Sequence, residues 1–149
     1  MTDDGDVVCG KLQQTPKKSN TESQTLEFED VSLTLLGCKR YPNNRLKCNF
    51  SVKAKQDGYL HFGFGKFFDT IGEVHSCWSS RIGAGGNGAT CDGVYASTES
   101  LKNIPLRAEL TFDKIPKEVK DIAALQLRVT SNSNNDGNKA IFRNIPISE

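Results

Sequence analysis

The chain has 149 residues, of which 36% are hydrophobic and 25% charged, with a formal net charge of +1. That length suits one domain with a proper core. The near-neutral balance, with Lys17-Lys18 and Lys39-Arg40 as isolated basic doublets, argues against a nucleic-acid or anionic-membrane role. No run approaches the roughly 18 apolar residues of a transmembrane helix.

Met1 to Thr25 carries few apolar residues among Asp, Lys, Gln, Ser and Thr. It lacks the hydrophobic density that offsets ordering entropy, so residues 1–25 are read as a flexible tail or linker and residues 26–149 as the domain. The start, Met1-Thr2-Asp3-Asp4-Gly5-Asp6, is acidic where a signal peptide is basic and then apolar. It leaves two expectations open, a cytosolic chain or an exported one whose leader is not in this sequence.

Val31, Leu33 and Leu35 alternate with polar neighbours, the period of a half-buried strand. Gly37 after them predicts a bulge that swings Cys38 towards the core. Pro42 and Asn43-Asn44 form a turn signal between Cys38 and Cys48. Leu46, Cys48, Phe50, Val52 and Ala54 then alternate with polar residues as the clearest strand of the chain. A hairpin closed there would set Cys38 opposite Cys48 at bridging distance.

Asp57-Gly58 predicts a hairpin turn into the next strand, with Leu60, Phe62 and Phe64 on one face. His61, Gly63 and Gly65 on the other leave a nearly bare surface. A short strand is expected around Val74 and Trp78, followed by a glycine-rich loop from Ile82 to Gly93. Cys77 and Cys91 enclose that loop as Cys38 and Cys48 enclose theirs. The pairs 38–48 and 77–91 are therefore the preferred framework, with Cys9 left over. Paired cysteines imply an oxidising compartment and export; two pairs of free thiols in a cytosolic protein are the alternative.

Leu106, Ala108, Leu110 and Phe112 predict another strand, and Pro116 opens one short helical turn. Ala123, Leu125, Leu127 and Val129 form a further strand. Asn132 to Asn138 is a polar turn, and Lys139 to Ile147 is a last strand stopped by Pro146. Seven to eight short strands separated by turn signals point to an all-β antiparallel sandwich.

The opening strand–Cys38–turn–Cys48–strand, and the close Leu110-Thr111-Phe112 with Phe142-Arg143-Asn144-Ile145-Pro146-Ile147, resemble bacterial immunoglobulin-like domains, often extracytoplasmic ones. The pattern covers roughly residues 26–147. What the resemblance implies is a non-enzymatic binding or accessory module, with no catalytic residues to carry over and no cofactor.

Gly83-Ala84-Gly85-Gly86-Asn87-Gly88 spells G-x-G-x-x-G, but no helix follows to receive a pyrophosphate. His75, Cys77 and Cys91, with His61, are zinc-type ligands without knuckle spacing. His75 and Cys77 share a strand face, yet no third group orients them for nucleophilic catalysis. Asn132, Asn134 and Asp136 echo a calcium loop, but Arg143 stands where the bidentate glutamate belongs. The binding surface expected from sequence is therefore a sheet edge or the loop from Ser79 to Tyr95, with Trp78, Arg81, Gly85, Gly86, Asn87 and Tyr95 as its candidates. The expected partner is a protein, or else a carbohydrate stacked on Trp78, Tyr95 or Tyr59; a small metal- or thiol-dependent enzyme around His75, Cys77 and Cys91 is the second alternative.

Overall fold

The computed structural model describes residues 24–83, 88–91, 95–131 and 137–149, and among these it is all-β, with a single 3-10 turn at Pro42–Asn44 and no α-helix. No helix among the described residues is long and apolar enough to cross a membrane. The strands are β1 (Gln24–Glu27), β2 (Val31–Tyr41), β3 (Arg45–Ala54), β4 (Gly58–Asp69), β5 (Val74–Ser76), β6 (Ser79–Ile82), β7 (Gly88–Thr90), β8 (Ala96–Ser100), β9 (Pro105–Phe112), β10 (Asp121–Thr130) and β11 (Asn138–Ser148). Eleven strands thus stand where the sequence predicts seven to eight. The extra ones are pieces of three to five residues, too short to show a period.

Pairing runs in the order β5-β4-β10-β11-β2-β3-β9-β6-β7, with β1 added to β2 and β8 to β4. Every pair is antiparallel except β11 with β2. The mixed sheet curls so that β2-β3-β9-β6 faces β4-β10-β11 across one core. Three ring pairs bridge the two halves: Phe50 to Phe62 at 5.4 Å, Phe50 to Phe142 at 6.0 Å, and Phe67 to Phe112 at 4.9 Å. β11 is the joint. Its register with β10 ends at Pro146, and the next two residues pair with Cys38 and Lys39 of β2. Pro146 therefore does not stop the strand. It sits where β11 exchanges one neighbour for another, a place a residue without an N–H tolerates.

The first hairpin follows its sequence signals closely. Val31, Leu33, Leu35, Leu46, Cys48, Phe50, Val52 and Ala54 are all buried. The register slips between Leu35 and Gly37, whose φ of 148° favours glycine, and Cys38 turns inward. Cys38 then lies opposite Cys48 with their Cα atoms 4.0 Å apart, and the two form a disulfide. Asn43 and Asn44 take the left-handed conformation their turn needs. The Lys39-Arg40 doublet splits across the strand. Lys39 faces solvent, while Arg40 donates to the carbonyl oxygens of Ile115, Pro116 and Val119 at 3.1, 3.2 and 2.6 Å. The segment after β9 is thereby pinned as an irregular crossover with a lone turn, in place of the expected helical turn.

Two expectations for β4 are corrected. Asp57-Gly58 does not make a hairpin, because β3 and β4 do not pair; the turn carries the chain from one half to the other. The Asp57 carboxylate accepts the Lys102 N–H at 2.8 Å, which ties this crossing to the one between β8 and β9. Phe64 does not share a face with Leu60 and Phe62. A register shift against β10 and a φ of 56° at Phe64 invert the alternation, so Gly65, Phe67 and Asp69 point inward. Gly65 therefore faces the core, while His61 stays on the outward side. A Cβ on Gly65 would lie 2.6 Å from Leu110 Cδ1 and 3.3 Å from Cys77 Sγ.

Leu110 is fully buried and must repack to admit that methyl group. Gly65→Ala is expected to lower stability by about 1–3 kcal/mol in urea denaturation. Combined with Leu110→Val, the loss should be smaller than the sum of the two single losses. An unchanged midpoint for Gly65→Ala alone would contradict this packing.

Candidate functional site

With Leu46, Cys48, Phe50, Val52 and Ala54 buried, Arg45, Lys47, Asn49, Ser51 and Lys53 must point to solvent. The same alternation turns Lys39 and Tyr41 of β2, Arg107 and Glu109 of β9, and Arg81 of β6 to that side. Neighbouring strands bring these scattered residues onto one face. Lys39 pairs directly with Lys47, Tyr41 with Arg45, Ser51 with Arg107, and Arg81 with Glu109. Lys47 reaches Glu109 at 4.0 Å and Arg45 reaches Asp113 at 3.8 Å. Lys39, Arg81 and Arg107 have no ion pair among the described residues.

Like charges directly opposite on adjacent strands are destabilising. The Lys39–Lys47 pair is softened by Tyr41, whose ring centroid lies 5.6 and 5.3 Å from the two ammonium groups. Beside it runs an open groove of about 680 Å³, bordered by Leu36, Lys39, Tyr41, Asn49, Arg107 and Ser148. Gly37 and Cys38 at the bulge and Pro146 and Ile147 at the end of β11 also line it. Glu149, next to Ser148 in the chain, is turned to Arg40 at 3.8 Å.

Two of the residues expected from sequence belong to this face. Trp78 donates its backbone N–H to Thr111 at 2.7 Å and lies 53% exposed, with the Arg45 guanidinium 4.9 Å from its ring centroid. Arg81 is exposed on β6. Tyr95 is elsewhere, on the outward side of β4, with Phe64 at 4.5 Å and His61 at 5.9 Å between ring centroids. Tyr59 is exposed on that same strand. Gly85, Gly86 and Asn87 lie outside the described residues, as do Cys9 and most of the Asn132–Asn138 turn. The aromatic patch expected from sequence is thus divided between two surfaces.

Cys77 and Cys91 form the second disulfide, with Cα atoms 5.7 Å apart, so neither sulfur is a thiolate here. His75 faces away from them. Its Nε2–H donates to Asp69 Oδ2 at 3.0 Å, and its ring stacks on Phe67 at 4.7 Å. Asp69 Oδ1 accepts the N–H groups of Ile71 and Glu73 at 3.0 and 2.9 Å. The ligand atoms of Asp69, Glu73 and His75 fall within 4.8 Å of one another. The buried carboxylate is already committed to closing the β4–β5 turn, and the cluster reads as a hairpin lock. At the other end of the molecule Asp30 accepts from Ser131 N at 2.9 Å, Thr130 Oγ1 at 3.1 Å and Asn138 Nδ2 at 2.7 Å. This ties the start of β2 to the base of the β10–β11 hairpin.

No protein-family model matches the chain, and no curated protein sequence matches it significantly.

The hydrogen bond from His75, followed by the turn amides, holds the Asp69 carboxyl below its ordinary value. For Asp30 burial pushes upward, but donors from Ser131, Asn138 and Thr130 outweigh it and the value is lowered. A lowered folded value means that the unfolded chain binds more protons. The stabilisation is therefore complete above the ordinary carboxylate range and is lost as pH falls through the folded values. Urea midpoints measured from pH 6 to pH 2 should drop in that acidic window. Asp69→Asn and Asp30→Asn should each lower the midpoint at pH 6 and flatten the acid slope; an unaltered slope in both would contradict these two locks.

Proposed function

We propose that the protein is a non-catalytic, immunoglobulin-like accessory module of an oxidising, extracytoplasmic compartment, and that it binds its partner through the outer face of β2-β3-β9-β6. The observation that carries this reading is the Lys39–Lys47 pair around Tyr41, beside a groove where Arg107 also lacks a counter-charge. Folding alone gives no reason to place two ammonium groups opposite each other. An anionic partner does.

Strand order supports the immunoglobulin-like part. In that fold one sheet runs A-B-E-D and the other C-F-G. Here β2-β3-β9-β6 and β4-β10-β11 follow the same two orders when β2, β3, β4, β6, β9, β10 and β11 are taken as A to G, although β11 also pairs with β2 and joins the two. The cysteines depart from the antibody pattern, which joins B to F over a buried tryptophan. Here one disulfide closes the β2–β3 hairpin, the other ties Cys77 to Cys91, and Trp78 is exposed. The resemblance is thus one of scaffold. The two disulfides support the oxidising compartment, since cytosolic thiols are kept reduced. Each closes a short loop and contributes about 3 kcal/mol in the chain-entropy model.

Alkylation of the native, unreduced protein followed by intact mass should label one of the five cysteines; three or more labels would contradict the compartment. Immobilised protein should retain material from extracted cell envelopes. Lys39→Glu with Lys47→Glu should cut that retention at least tenfold, while removal of residues 84–87 should leave it within twofold. If the loop deletion abolishes retention and the charge reversal does not, the binding surface is the loop and the face has no part in it.

A further inference from the structure

The module reading leaves the partner's chemistry open, and the following rests on that reading. We infer that the groove beside Tyr41 takes an anionic polysaccharide, its carboxylate or sulfate groups meeting Lys39 and Arg107 and its hydroxyls meeting Asn49 and Ser148.

Charge complementarity is the first argument. The net charge of the whole chain is only +1, yet this one face gathers six cations, Lys39, Arg45, Lys47, Lys53, Arg81 and Arg107. Glu109 and Asp113 engage Lys47 and Arg45, and of the cations left without an ion pair among the described residues, Lys39 and Arg107 border the groove. An anion entering there meets positive charge that no carboxylate among the described residues neutralises.

The second argument separates a polysaccharide from a protein. Protein–protein interfaces are apolar at their centre and depleted in lysine there, with charge at the rim. This face is built the other way round. Its middle is Lys47, Asn49 and Ser51, and its exposed apolar groups, Leu36 at 42%, Tyr41 at 38% and Trp78, stand at the edges. The middle of such a face has little apolar area to bury against a folded partner. The groove beside it sets the apolar groups of Leu36, Tyr41, Pro146 and Ile147 among Lys39, Asn49, Arg107 and Ser148, which suits a sugar chain whose rings have apolar faces and whose edges carry hydroxyls and regular negative charges. Single-stranded nucleic acid is also anionic, but it is held by bases stacked on bare aromatic rings. Tyr41 and Trp78 each already carry a cation over the ring.

The test is titration of the full chain with polygalacturonate, dextran sulfate, neutral dextran, poly-glutamate and oligo-deoxythymidine, read by calorimetry or affinity electrophoresis. Binding is expected to polygalacturonate or dextran sulfate, with the stronger of the two identifying carboxylate or sulfate as the recognised group. Neutral dextran should not bind. Raising the salt concentration from 50 to 200 mM should weaken the complex several-fold, because exposed charges are screened. Lys39→Glu with Arg107→Glu should weaken it at least tenfold. The matched reversal Lys66→Glu with Lys139→Glu, on the β4-β10-β11 half, should change it less than twofold, and thermal melts of both variants confirm that they fold. Equal or tighter binding of poly-glutamate or oligo-deoxythymidine would overturn the polysaccharide while leaving the module reading intact. So would retention of envelope material that depends on Lys39 and Lys47 without binding to either polysaccharide. Loss of both dependences would sink the module reading itself.

Discussion

Everything on the outside of this protein depends on the register of β3. It is a central strand, paired along its length to β2 on one side and β9 on the other, and five of its residues are sealed in the core. Because side chains alternate, a slip of one residue would bury Arg45, Lys47 and Lys53 and expose Phe50. The cost of burying unpaired lysines makes that slip prohibitive. Holding Phe50 against Phe62 and Phe142 therefore also holds Lys47 outward, opposite Lys39 and next to Glu109. The core and the basic face are two consequences of one alternation.

Three local devices keep that frame in place. The Gly37 bulge lets β2 deliver Cys38 inward to Cys48 and then pass Lys39 outward. Pro146 lets β11 leave β10 and join β2, which closes the curl of the sheet and brings Pro146 and Ile147 to the groove. Gly65 lets β4 approach Leu110 and Cys77 closely enough that the two halves meet without a void. The carboxylates of Asp30 and Asp69 then fix the two ends by accepting backbone and side-chain donors. Each device is local in sequence; the Gly37 bulge and Asp69 act within single hairpins, while Gly65, Pro146 and Asp30 act between strands far apart in the chain.

Much of the scaffold was legible from alternation and turn chemistry. β2, β3, β9 and β10 were readable because their apolar residues recur with a strict period, and the Cys38–Cys48 bridge because a Pro-Asn-Asn turn lies midway between them. What failed was phase and neighbourhood. Phe64 takes a positive φ that reverses the faces of β4, and nothing in the run of phenylalanines and glycines marks where that happens. Asp57-Gly58 looks like a hairpin turn but joins strands in different halves. The basic face was hidden for the same reason. Lys39 and Lys47 lie in one hairpin, but Arg81 and Arg107 are tens of residues further on, and all four become adjacent only through strand pairing, which composition does not record. Trp78 and Arg81 were within reach because they sit in one short segment, whereas Tyr95 was grouped with them by sequence proximity and folds onto another surface.

The central claim is that the partner meets the outer face of β2-β3-β9-β6. Amide chemical-shift mapping during titration with polygalacturonate oligomers, or dextran sulfate oligomers if these bind more tightly, tests it residue by residue. The largest shifts should fall on Gly37, Lys39, Lys47, Asn49, Arg107 and Ser148, with His61, Tyr95 and Ser97 unmoved. Shifts concentrated around Tyr59, His61 and Tyr95, or confined to residues 83–88, would contradict it.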